Sequence, residues 1–168
     1  FASLVKSGGT VLDLACGNGR HTHYLACLGY QVTAVDRDLS GISEIENAGT
    51  IELIGADLED GSPWPLGSRK FNGIIVTNYL YRLLFPAIID ALDDDGVLIY
   101  ETFSMGNKEY GRPSNPNFLL KPSELLSVCS DRLRVVAYEE GVLGTPSPAV
   151  KQRLCAVNRP LDGAPASL

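Results

Sequence analysis

Residues 10–20 read TVLDLACGNGR. An apolar run, Thr10 to Ala15, stops at Cys16-Gly17-Asn18-Gly19, and a carboxylate, Asp13, sits inside the run. The run reads as a buried strand and the glycines as a tight turn that brings main-chain N–H groups close to a ligand. Arg20–Leu28 follows with Tyr24, Leu25 and Leu28 at helical spacing, and Gly29 is placed to cap its end. The helix would aim its positive end at the same turn.

Working outward, strand and helix signals alternate. Strands are expected at Gln31–Val35, Thr50–Gly55, Phe71–Thr77 and Val97–Thr102. Helices are expected at Leu39–Ala48, Tyr81–Leu92 and Pro122–Ser130. Leu133–Glu139 and Ala149–Val157 are two further strands, joined through the Gly/Pro-rich segment Gly141–Pro148 without a helix, so they should pair antiparallel. The expected fold is α/β: a doubly wound, mostly parallel seven-stranded sheet whose last strand pair is antiparallel. No second core or internal repeat is visible. One domain, residues 1–158, and a frayed tail, 159–168, are expected.

Composition narrows the function classes. Hydrophobic residues at 45% and charged residues at 20% argue for a folded chain. No apolar run approaches the roughly 20 residues of a membrane helix, and Lys6-Ser7-Gly8-Gly9 breaks any signal-peptide pattern. The net charge of −6, without a basic run, argues against a nucleic-acid substrate. Cys16, Cys27, Cys129 and Cys155 are scattered and form no C-x-x-C pair, so reduced packing thiols in a cytoplasmic protein are expected. The first residue is Phe1, from which an upstream segment is expected to be missing. Nothing specifies an oligomer.

In a sheet of this kind, ligands lie beyond the carboxyl ends of the strands. A dinucleotide turn requires a third glycine, and here that position is Thr22. Asp13 would repel a pyrophosphate and attract an ammonium, or tie down the glycine loop; the two roles are compatible. Asp36 closes the second strand, beside Arg37, and can accept both hydroxyls of a ribose. Asp57 closes the third; with the N–H of Leu58 it can recognise adenine. A ligand with an ammonium, a ribose and an adenine but no phosphate is S-adenosylmethionine.

The stretch VLDLACGNGRHTHYLACLGYQVTAVDRD resembles the cofactor-binding half of class I S-adenosylmethionine-dependent methyltransferases, most closely the tellurite-resistance-type small-molecule enzymes. The family motif, acidic–x–Gly–x–Gly–x–Gly, appears with Ala15 in place of its first glycine. The resemblance implies a Rossmann-like methyltransferase fold. It also implies that Asp13 and the backbone of Ala15, Cys16, Gly17, Asn18 and Gly19 hold the methionine end. Arg20 would face the cofactor carboxylate, Asp36 the ribose, and Asp57 with Leu58 the adenine. Asn78 and Tyr79, after the fourth strand, would face the sulfonium. The product would be S-adenosylhomocysteine and the acceptor a small molecule.

Further candidates come from position. Tyr79, Glu101 and His23 are candidate catalytic groups, with Glu101 able to act as a base or merely to cap a loop. Tyr81, Arg112 and Phe118 are candidate acceptor contacts, the last two in a long loop, 104–118, that would form a lid. His21 and His23 stand two apart and do not share a helix face, so no metal is expected. Trp64 reads as a loop anchor and Asp93-Asp94-Asp95 as a solvated turn. Two rival readings remain: a non-catalytic module that binds S-adenosylmethionine or its product, and an NAD(P)-dependent oxidoreductase.

Overall fold

The computed structural model describes residues 1–42, 50–145 and 147–161. Its centre is a seven-stranded sheet: β1 (Thr10–Leu14), β2 (Gln31–Asp36), β3 (Ile51–Gly55), β4 (Phe71–Thr77), β5 (Leu92–Phe103), β6 (Arg134–Leu143) and β7 (Ala149–Val157). The order is β3-β2-β1-β4-β5-β7-β6. β1 to β5 are parallel; β7 runs antiparallel to both β5 and β6. Strand order reverses between β1 and β4, which is where a doubly wound sheet opens a ligand crevice.

Alternating residues of the central strands feed two cores, one on each face. Leu12, Leu14, Ile74, Val76, Leu98 and Tyr100 pack with α2 (Phe85–Asp90) and α3 (Glu124–Cys129). Val11, Ile75, Val97 and Cys155 pack with Leu25 and Ala26 of α1 (Arg20–Cys27) and with Val5 and Tyr30. Burial of both faces explains why β1 and β4 read as nearly continuous apolar runs. Trp64 packs against the first core, as a loop anchor should.

The elements differ from expectation in several places. The helix expected at Tyr81–Leu92 is a 3₁₀ turn, Arg82–Leu84, followed by the short α2. Pro86 has no N–H to give to the carbonyl one turn back, so an unbroken α ladder cannot pass through it. The aspartate turn lies within β5 as a bulge: the register moves from Phe71↔Leu92 to Gly73↔Val97, pushing Asp93–Asp95 outward. Of the helix expected at Leu39–Ala48, residues 40–42 form a turn and 43–48 lie outside the described residues. In the expected tail, Arg159 pairs with Asp95 at 2.5 Å, while 162–168 lie outside the described residues.

Candidate functional site: two cavities meeting at Asn78

The Gly-x-Gly bend forms as read. Ala15, Gly17 and Gly19 all have positive φ, 55°, 53° and 72°. Gly19 cannot be replaced cheaply, because a Cβ there would stand 2.9 Å from Ile42. Ala15 tolerates a backbone angle that costs an L-residue about 1–2 kcal/mol, so the first position of the motif carries a strain that glycine would relieve.

Asp13 is 1% exposed, and its Oδ2 accepts a 2.6 Å hydrogen bond from the Thr22 hydroxyl. Thr22, noticed in the sequence only as an absent glycine, is therefore the donor that a buried carboxylate needs. The pair ties β1 to the first turn of α1. Burial raises the Asp13 pKa above its ordinary value, with Thr22 opposing. Asp13 does not line the cavity that the turn borders.

That cavity, about 390 Å³, is walled by Ala15, Asp36, Arg37, Asp57, Leu58, Glu59, Asn78, Tyr79 and Phe118. Three carboxylates face one guanidinium. The Asp36 carboxylate is held by main-chain donors, Gly17 N–H to Oδ2 at 2.9 Å and Asp38 N–H to Oδ1 at 3.1 Å. Asp57 Oδ1 accepts from Glu59 N–H at 2.9 Å. Each acid keeps unused lone pairs in a fixed position. The buried hydroxyl of Tyr79 has no hydrogen-bond partner among the described residues. Burial, then the nearby Glu59 carboxylate, raises its pKa, so Tyr79 stays a neutral phenol.

Asn78, at φ 55°, borders this cavity and two others. Its N–H donates to the Glu101 carbonyl at 2.8 Å, and its Oδ1 accepts from Lys151 Nζ at 2.7 Å. Beyond it lies a second cavity of about 370 Å³, where Arg20, Lys151 and Arg153 surround Glu101, with Phe103, Leu143 and Ala149 as apolar wall. Lys151 and Arg153 each donate to one oxygen of Glu101, at 2.5 and 2.7 Å. Burial acts to raise the Glu101 pKa, but the two cations outweigh it and hold it below the ordinary 4.5. Glu101 is thus a paired anion and not a free base.

The structure separates other expected residues from the cavities. His23 is exposed, its ring beside Cys27 Sγ at 3.8 Å. The neighbouring His21 is half-buried and within electrostatic reach of Asp13 and Glu101, but it lines none of the described cavities. Burial and then Arg20 outweigh Asp13 and Glu101 to lower its pKa below 6.5, and its Nε2 is 3.0 Å from an Arg20 nitrogen. Arg112 is exposed and lines none of the described cavities; neither does Tyr81, although Tyr81 lies near enough to Tyr79 to contribute to its raised pKa. Cys16 lies in the turn, its thiol pushed up to about 12 by burial and by Asp13 and Asp36. Asn18 packs against Gly41. All four cysteines are free thiols. Among the described residues no group of His, Cys, Asp and Glu is arranged to hold a metal, and no helix is long and apolar enough to cross a membrane.

Phe118 does reach the site, and the loop that carries it is a tied wall. Arg82 binds Glu124 through Nε and an NH2 group at 2.6 and 2.9 Å and donates to the Asn117 and Leu119 carbonyls, both at 2.9 Å. Asn107, buried, bonds Pro113 and Val150 across the loop's other end. Asn115 caps its own turn through Asn117 N–H. Sequence reasoning missed Arg82, Glu59, His21, Lys151 and Arg153. For the last two a signal existed: cations two apart in a strand project from the same face.

The sheet order and the acidic crevice at the β1–β4 reversal define the class, a Rossmann-like fold of the methyltransferase type. The family model described as tellurite resistance protein TehB matches residues 2–93, and the chain belongs to that family. No curated protein matches the chain in sequence. Among solved structures, TehB from Haemophilus influenzae superposes with a TM-score of 0.73 at 21% identity, over 94% of this chain and 60% of that one. A SAM-dependent methyltransferase from Methanosarcina mazei gives 0.71 at 15% identity, covering 94% and 96%. The N-methyltransferase NodS from Bradyrhizobium japonicum gives 0.68 at 17%, covering 95% and 92%. At these identities the likeness is one of fold. The chain spans 60% of the length of the Haemophilus protein.

Proposed function

We propose that this chain binds S-adenosylmethionine in the acidic cavity and is a methyltransferase for a small-molecule acceptor, working in the cytoplasm, where its thiols stay reduced. The observation that carries the reading is the Asp36 carboxylate, fixed by the Gly17 and Asp38 amides at the head of a cavity whose other acids are Asp57 and Glu59. The donor set fits the cofactor. Asp36 has acceptor capacity for two ribose hydroxyls, Asp57 and the Leu58 N–H suit an adenine edge, and the Tyr79 hydroxyl stands beside the Glu59 carboxylate at the same cavity. The excess of carboxylates favours a cation and opposes a pyrophosphate.

When bound, S-adenosylmethionine supplies a methyl group on a sulfonium and loses its positive charge on giving it up. The chain's part is to hold and to aim. The bend at 15–19 spends the N–H groups of Cys16, Gly17 and Gly19 on Val35, Asp36 and Cys16, so it shapes the cavity edge and holds Asp36, and Arg20, at the rim of the second cavity, would face the cofactor carboxylate. Asn78 stands at the junction, its side chain fixed by Lys151. Tyr79 keeps its proton, and Glu101 is engaged by two cations, so neither serves as a ready base. Acceleration then rests on positioning, which can supply roughly 7–11 kcal/mol of a barrier when reacting atoms are held in line.

The test is calorimetry. S-adenosylmethionine should bind, and Asp36→Ala should weaken it at least about tenfold, or roughly 1.4 kcal/mol. Unchanged affinity removes the site. Turnover to S-adenosylhomocysteine over an acceptor panel separates an enzyme from a binding module. Protection against unfolding by NAD(P) in place of S-adenosylmethionine would restore the oxidoreductase.

A further inference from the structure

The basic cavity has no role in holding a nucleoside, yet it adjoins the acidic one. A third cavity, about 280 Å³, joins them: Glu59, Asn78, Tyr79 and Phe118 are shared with the acidic side, Asn78 and Phe103 with the basic side. Its remaining wall, Leu80, Thr102 and Pro113, is mostly apolar. The three thus adjoin through shared walls, and the middle one is mostly apolar.

The charges of the basic cavity are unusual for a chain of net charge −6. Lys151, Arg153 and Arg20 line the cavity with Glu101 as the one anion among its described lining residues. Glu139 approaches Arg153 only from outside, at 3.7 Å, and is mostly exposed. The Lys151 side chain is 13% exposed and lies over the Phe103 ring, 4.7 Å from its centroid. An ammonium so enclosed, sharing one carboxylate with a guanidinium, leaves positive potential in a half-desolvated space, where a charge is felt strongly. With Arg20 assigned to the cofactor carboxylate, Lys151 and Arg153 still meet only one carboxylate, Glu101, in the cavity wall, since the exposed Glu139 that pairs with Arg153 is not among its described lining residues.

We infer that the acceptor is a small organic carboxylate, its apolar body lying between Tyr79, Phe118 and Phe103 and its carboxylate held by Lys151 and Arg153. This rests on the cofactor reading above. A planar carboxylate suits the guanidinium fork and the ammonium together. Glu101 keeps the two cations apart and in place, and competes with the acceptor for them. The acceptor's reacting atom then falls near Asn78, the junction of all three spaces.

The experiment measures binding, not turnover. The full chain, saturated with S-adenosylhomocysteine, is titrated with benzoate, phenylacetate and 3-phenylpropionate and with the neutral amide of each. At least one acid should bind about tenfold or more tighter than its amide, the selectivity of a charge-assisted contact. Arg153→Met, which leaves the Lys151–Asn78 bond in place, should abolish that preference while S-adenosylmethionine affinity stays within about twofold. Glu101→Gln, which keeps the shape and removes the competing anion, should tighten the acid severalfold; this opposite sign does not arise from a damaged fold. If every acid binds no better than its amide, or Arg153→Met weakens the cofactor as much as the acid, the inference is overturned. Absence of S-adenosylhomocysteine binding in the unaltered chain would instead overturn the cofactor reading.

Discussion

The acidic and basic cavities lie on one edge of one sheet and share Asn78, but they are built differently. The acidic one comes from parallel strands, each of which delivers its own last residue: Asp36 from β2, Asp57 just after β3, the glycine bend after β1. The basic one comes from antiparallel pairing, in which Glu101 stands opposite Arg153 and Phe103 opposite Lys151. In the parallel half a residue's place follows from where its own strand ends. In the antiparallel half it follows from the register between strands fifty residues apart. On the proposed reading the first arrangement holds the cofactor and the second the acceptor, the two meeting at Asn78.

The comparison can be broken first at Asp13, the buried anion of the parallel half. Thr22→Val removes its only side-chain donor among the described residues and should cost about 2 kcal/mol, the scale of a lost bond to a buried charge, read by denaturant unfolding. Thr22→Ser, which keeps the hydroxyl, should retain most of it. A loss in Thr22→Ser with none in Thr22→Val would mean that the methyl group, not the bond, holds β1 to α1.

A smaller effect sharpens the contrast through pH. Glu101 has a folded pKa below its ordinary 4.5, so the stability it contributes is complete above 4.5 and is lost as pH falls through the lower folded value. Asp13 has a folded pKa raised above 3.8, so its burial penalty is absent below 3.8 and grows as pH rises through the folded value. Glu101→Gln should therefore flatten the acid-side fall in unfolding free energy. Asp13→Asn should gain stability relative to the unaltered chain chiefly towards neutral pH. Parallel pH curves for either variant would contradict the assignment.

The smallest effect is at Ala15. Replacing it with glycine removes about 1–2 kcal/mol of left-handed strain against about 0.4–1 kcal/mol of added unfolded-state entropy. A net gain near 0.5 kcal/mol is expected in thermal unfolding. No gain would show that the bend relaxes around the methyl group.

Legibility followed the same division. The glycine bend, Asp36, Asp57, Leu58, Asn78 and Tyr79 were readable because each sits at the end of an apolar run, and strand ends in a parallel sheet share an edge. Phe118 lines the acidic cavity, but the supposed lid that carries it is pinned by Arg82, a contact thirty-five residues away that no local pattern announces. His23 was chosen over His21 because the sequence shows two histidines on a helix but not which faces the sheet. Glu101 was read as a possible base because its partners lie on β7, about fifty residues later.

By itself, then, the order of residues determined the layered sheet, the bend and the acidic crevice, since apolar period, turn chemistry and strand-end carboxylates are local properties. Only the tertiary structure decided that Thr22 satisfies Asp13, that Glu101 is spoken for, and that Lys151 and Arg153 open a positive space beside Asn78. Those facts depend on register and on burial. Both are set by how distant segments pack, and a carboxylate's chemistry changes with the charges that packing brings against it.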